Sequence, residues 1–132
     1  MTRLFLMLLT LLFSLSGPAM GEYSDFGRSS LAAKNAPKWG PQHGGDTHWQ
    51  RIQQTANGMG RKGWQDIRIN RQQVDSTGNV AGRNRPDLSG INPRTGQRHN
   101  IEFDTRASSS ARHQTTVNAN DPNARNTFIV LP

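Results

Sequence analysis

Asp87, Glu102 and Asp104 are three of only nine acidic residues in a 132-residue chain of formal net charge +7, and all three fall between Arg85 and Arg106. Carboxylates gathered in that way can hold a divalent cation or share a proton. Their spacing reads as a β-hairpin. Asn92-Pro93-Arg94-Thr95-Gly96 is a cluster of turn formers with extended-looking runs on either side. If the hairpin closes symmetrically, with Ile91 opposite Arg98, Asp87 stands opposite Glu102. Opposed residues of an antiparallel pair have Cβ atoms roughly 4.5–5.5 Å apart on one face. Asp104, two residues beyond Glu102, joins that face by alternation. At an effective dielectric near 20, each close pair of charges costs on the order of 3–4 kcal/mol. Such a group persists if a cation neutralises it, if a proton is shared, or if arginines surround it. A slip of one residue in register would scatter it across both faces.

Other residues able to do chemistry are fewer. There is no cysteine and no His-Glu-x-x-His, so the usual zinc ligand sets are missing. His43 and His48 flank a probable helix start. His99 should lie on the Ile101 and Phe103 face, away from the acids, and His113 is expected at the surface of a later helix. A metal-independent ribonuclease with histidine as acid and base is the competing enzyme reading. Trp39, Trp49 and Trp64 are expected to anchor the core rather than stack bases.

The elements that must position the acids follow from periodicity. Trp49, Ile52, Gln53, Ala56 and Met59 share one helical face, predicting a helix over about 47–59, capped by Asp46 or Thr47. Ile67 and Ile69 alternate with polar residues, predicting a strand over 64–70 that could continue to Val74. Asp75 to Asn79 is a turn. Within the hairpin, Leu88 should face Ile101, with Ile101 and Phe103 on the packing side. A weakly amphipathic helix is expected over 109–118. Thr127 to Leu131 reads as a buried last strand.

The first 21 residues have the pattern of a secretory signal peptide. Arg3 precedes an apolar run from Leu4 to Leu15, and Ala19-Met20-Gly21 offers small residues for cleavage. The run is too short for a membrane helix, which needs about 20 apolar residues. The expectation is an exported protein, periplasmic or secreted, with no stable membrane span after cleavage. Residues 22–45, broken by prolines and glycines, read as an irregular arm or linker, and residues 46–132 as one domain. Arginine dominates the basic residues. That bias favours bidentate binding of phosphate, hence a nucleic-acid partner, although a plain compositional bias accounts for it as well.

Pro86-Asp87, followed by Glu102-Phe103-Asp104, resembles the PD-(D/E)xK nuclease superfamily. The wording of Arg85–Leu88, Asn100–Thr105 and Asn120–Arg125 is similar to bacterial toxin domains with the restriction-endonuclease fold. The resemblance covers about residues 46–131. It implies an α/β fold with a restriction-endonuclease-like αβββαβ core, a small mixed sheet flanked by helices. It also implies Mg²⁺ (or Mn²⁺) held by Asp87, Glu102 and the Phe103 backbone carbonyl, hydrolysis of DNA (or RNA), and, for a toxin, an immunity protein as partner. Asp104 stands where the family usually has lysine. It would serve as general base or second-metal ligand, with Arg85, Arg98 and Arg106 on flanking phosphates. Asp46 and Gln53 are weak substitutes for the glutamate often found on the family's first helix. The alternative is a non-catalytic secreted module on the same fold that binds nucleic acid or an acidic protein.

Overall fold

The computed structural model describes residues 35–132, so the signal-peptide reading and residues 22–34 of the arm lie outside the described residues. The described residues are α/β, with a five-stranded mixed open sheet and two helices. In chain order these are β1 (Lys38–Trp39), α1 (Asp46–Arg61), β2 (Gln65–Ile69), β3 (Leu88–Ile91), β4 (Arg98–Asp104), α2 (Ala107–Asn120) and β5 (Arg125–Val130). Spatial order equals chain order. β1 runs parallel to β2, β2 to β4 form an antiparallel meander, and β5 returns parallel to β4 after α2. No helix among the described residues is long and apolar enough to cross a membrane.

The hairpin register is the expected one, Leu88 opposite Ile101 and Ile91 opposite Arg98. Alternation on β4 then separates two faces. Ile101 and Phe103 join Ile67, Ile69 and Leu88 beneath Ile52, Ala56 and Met59 of α1, which makes the apolar core. Gly90 lets α1 approach, since a Cβ there would come within 2.6 Å of the Met59 methyl. The opposite face, with Asn100, Glu102 and Asp104, lies against α2.

Helix α2 has little apolar surface, and Val117 is its one buried apolar residue. Amides tie it down instead. Gln73, fully buried, donates to the Val117 carbonyl at 3.2 Å, and Asn120 donates to the side-chain oxygens of Gln73 and Asn84. The segment between β2 and β3 thereby forms a wall beside the acids. Its tip is the expected turn, where Asp75 Oδ1 accepts from the backbone of Thr77 and Asn79.

Four expectations about the elements are corrected. The last strand, expected to be buried, is an edge strand with Ile129 and Val130 exposed. Part of the arm is sheet, because Lys38–Trp39 pairs with Arg68–Ile69. Gly40 permits that approach, as any Cβ there would collide with the Asn70 carbonyl. β2 stops at Ile69, because Asn70 turns left-handed (φ 44°), a conformation asparagine tolerates better than most residues. The N-cap of α1 is Gly45, without a side-chain cap bond, rather than Asp46 or Thr47.

Candidate functional site

Asp87 immediately precedes β3, and Glu102 and Asp104 close β4. All three are buried, at 4–5 % exposure, yet line one cavity of about 760 Å³. Backbone pairing fixes their positions. Asn70 N–H donates to the Asp87 carbonyl at 3.0 Å, Phe103 N–H to Asp87 Oδ2 at 2.8 Å, and Asp87 N–H to Glu102 Oε2 at 3.3 Å. The register puts Pro86 opposite Phe103, and proline has no N–H for the ladder. Proline thus offers the Phe103 carbonyl no donor, while the Phe103 N–H, itself a donor, is taken by the Asp87 carboxylate.

The electrostatics differ from those of an ordinary ion-paired cluster. No lysine or arginine among the described residues forms a salt bridge with the three acids. Burial raises the Asp87 pKa despite the Phe103 N–H and the nearby His48 and His43. Burial also raises Glu102, the charges of Asp87 and Asp104 add to it, and the result is about 8. At neutral pH Glu102 thus holds a proton mainly because an anion there is poorly solvated. Asp104 Oδ2 is a buried acceptor with no partner.

Histidines, rather than arginines, stand against the acids. His48 Nε2, from the first turn of α1, lies 3.3 Å from Asp87 Oδ2. His113 Nδ1, from α2, lies 2.8 Å from Asp104 Oδ1 but off the line of a hydrogen bond. His43 completes the group, its ring 5.7 Å from that of His48. The sequence favours a surface place for His113, with a turn toward the site as its alternative, and gives His48 no role. Helical spacing carried the signal, since His48 precedes Ile52 and Ala56 by four and eight residues and His113 lies between Ser110 and Val117. His99 falls on the other face as expected, bonded to Thr127 at 2.8 Å.

The arginines divide. Arg85 lines the cavity, and Arg112, which the sequence reading did not single out, joins it. Arg106 is the N-cap residue of α2 and is not part of the cavity wall. Arg98 is corrected as a phosphate-binding candidate. It is 1 % exposed and bonds Asp66 Oδ2 at 2.8 Å, the carbonyls of Asp66 and Asp75, and Ser89. Alternation gives it the face of Glu102, but four residues of strand put it about 13 Å away. Asp46 and Gln53 of α1 do not line the cavity either.

Hard divalent cations take oxygen ligands, and buried carboxylates with raised proton affinity and an unpartnered oxygen fit that demand. As the side chains stand, no three His, Asp or Glu among the described residues enclose an ion, so closing round one takes side-chain rotation. A scan of family models, a search of curated proteins and a search of solved structures each return no match.

Proposed function

We propose that this chain is an exported metal-dependent nuclease that hydrolyses phosphodiester bonds of DNA or RNA, with a site of the PD-(D/E)xK kind on a restriction-endonuclease-like core. The observation that carries the reading is the buried trio Asp87, Glu102 and Asp104, which lacks a lysine or arginine partner and shares one cavity. Agreement between the element order α1-β2-β3-β4-α2-β5 and the family's αβββαβ core supports it. An antibacterial role, with an immunity protein as partner, and a periplasmic or external destination belong to the same proposal.

Asp87, Glu102 and the Phe103 carbonyl would hold Mg²⁺ or Mn²⁺. When bound, such an ion lowers the pKa of a water and offsets the charge that develops on a phosphate. Asp104 has a free oxygen to take the proton of that water, with His113 Nδ1 2.8 Å from its other oxygen. Arg85 and Arg112, at the cavity wall, hold the phosphates on either side of the scissile bond. The Phe103 ring, against His48 at 6.4 Å, closes the apolar side of the site to water.

Digestion of plasmid DNA and of RNA in Mg²⁺, Mn²⁺ or EDTA tests the proposal. Cleavage should need the metal, and Asp87→Ala or Glu102→Ala should lower its rate at least about 10³-fold, as expected when a charge-stabilising group is lost. Cleavage that persists in EDTA points to histidine chemistry and defeats the proposal. The presence of Asp104 where lysine is usual favours one second reading, a non-catalytic nucleic-acid-binding module. That reading expects tight, salt-sensitive binding with no cleavage under any metal.

A further inference from the structure

Next to the acid cavity lies a second concavity of about 420 Å³, and the two share Asn70 and Arg85 in their walls. Its other lining residues include Trp39, Pro41, Arg68 and Arg71. No carboxylate among the described residues lines it. Arg71 and Arg85 are exposed and form no salt bridge with any described residue. Arg68 reaches Asp66 only at 3.6 Å, and its Nε is buried without a partner. Trp39 is 45 % exposed, although its ring packs edge-on against Trp49 at 5.8 Å. The indole is thus held to the domain through Trp49 while nearly half of the residue's surface remains open.

We propose that this groove is a track for an unpaired polynucleotide strand, with one base stacked on Trp39 and its phosphates held by Arg68, Arg71 and Arg85. Geometry and chemistry agree on the occupant. Guanidinium groups that line one groove, those of Arg71 and Arg85 without an acidic partner among the described residues, match a string of phosphates. An exposed indole held through Trp49 is a stacking platform for a base, and only an unstacked base can reach it. A duplex keeps its bases paired and inside, so Trp39 gains nothing from it. The shared wall at Asn70 and Arg85 leads the strand from the indole to the acids. Asn70 is well suited to that position, because its Nδ2 bonds the Pro41 carbonyl at 2.8 Å and its N–H bonds Asp87, so groove and cavity are built on one residue. The substrate class that follows is single-stranded DNA or RNA, or a single-stranded stretch within a duplex. This assignment rests on the nuclease reading for what happens in the cavity, but the groove itself is tested by binding alone.

The experiment is fluorescence anisotropy of the purified protein in EDTA, with labelled oligothymidylate, oligouridylate, a duplex of equal length and an abasic oligonucleotide. The unpaired strands should bind more tightly than the duplex and the abasic strand. Trp39→Ala should weaken oligothymidylate binding about tenfold and leave the abasic strand unaffected, while Trp39→Phe retains most of the affinity. Arg71→Ala should weaken every strand and lower the salt slope by about 0.7. Equal binding of duplex and single strand, or equal binding of abasic and base-bearing strands by the wild type, overturns the assignment even if Trp39→Ala fails to fold. Oligouridylate against oligothymidylate separates RNA from DNA as the preferred source of the strand. Trp39-dependent binding without metal-dependent cleavage leaves the groove standing and removes the catalytic proposal. Cleavage without Trp39-dependent binding does the reverse.

Discussion

Asp66 and Glu102 are carboxylates drawn in from solvent on the same five-stranded sheet, and their surroundings act on them in opposite ways. Asp66 sits at a β-bulge of β2, left-handed at φ 43°, which aims it at Arg98 on β4. Lys38 and Arg98 each reach one of its oxygens at 2.8 Å. Burial would raise its pKa, but the hydrogen bonds and charges of these two cations outweigh it, and the pKa is lowered. Glu102 is buried beside Asp87 and Asp104 with one backbone N–H as donor, and burial first of all raises its pKa. Cations were available, since the chain is strongly basic. The difference teaches where the fold supplies its own counter-charge and where it does not. Asp66 is structural glue, whereas no lysine or arginine among the described residues forms a salt bridge with Asp87, Glu102 or Asp104.

The contrast can be broken most sharply by deleting one acid from each region. Asp66→Ala leaves the guanidinium of Arg98, 1 % exposed, with only carbonyl and hydroxyl partners. Removing one partner of a buried ion pair costs about 3–5 kcal/mol, so urea unfolding should show a loss near that range. Asp87→Asn removes a charge whose burial is unfavourable and keeps an oxygen for the Phe103 N–H. It should be no less stable than the wild type without metal. Equal destabilisation by the two changes would mean that the trio is also structural glue.

Acid and base titration of stability sharpens the same point. In the unfolded chain Glu102 loses its proton near the ordinary glutamate value of 4.5, whereas the folded chain keeps it to about 8. Between these values the unfolded state binds fewer protons, so stability falls as pH rises through the window. The loss by pH 8 is at most about 4 kcal/mol, given roughly 1.4 kcal/mol per pKa unit. Glu102→Gln should flatten the decline in melting temperature between pH 5 and 8, measured in EDTA. Asp66 runs the other way. Its lowered pKa contributes stability that is present at neutral pH and lost as pH falls below the ordinary aspartate range. A wild-type profile that rises from pH 5 to 8 would refute the raised pKa of Glu102.

How much of this was legible in the chain follows from the same two regions. The trio was legible because turn formers at Asn92–Gly96 and the alternation of Leu88, Ile101 and Phe103 fix one register, and register fixes the face. The six main elements were legible for the same reason, with ends misplaced by one or two residues. β1 was not, since two residues carry no period and their pairing depends on Gly40 meeting Asn70. The Asp66–Arg98 pair was not, because alternation tells which face a long side chain leaves, not how far along the sheet it reaches, and the bulge at Asp66 has no sequence mark. His48 and His113 were obscured because each is a polar residue on a helical stripe with few apolar companions, most of all on α2.

A metal titration discriminates the regions next. If Mg²⁺ or Mn²⁺ binds the trio, an excess of about 100 times the dissociation constant should add ~2.7 kcal/mol to stability. It should also displace the proton of Glu102, so the added stability should grow from pH 6 to pH 8 as proton competition weakens. Asp87→Asn should abolish the gain and Asp66→Ala should leave it intact. Metal-insensitive melting across that pH range would remove the trio as a cation site.

The smallest effect lies within the Asp66 region itself and tests whether its stability comes from the buried partner or the exposed one. Lys38 makes as short a contact as Arg98, 2.8 Å, but its side chain is 52 % exposed against 1 %. An exposed ammonium is already well solvated, and holding its long side chain in place costs rotamer entropy. Lys38→Ala should therefore cost only about 0.2–1 kcal/mol, and raising the salt concentration should erase even that difference. Arg98 was desolvated when the sheet formed, so its need for Asp66 should survive high salt. If Lys38→Ala proves as damaging as Asp66→Ala, the decisive contact is the pinning of β1 to the sheet edge rather than the buried pair. The contrast with the acid trio would then rest on strand pairing instead of counter-charge.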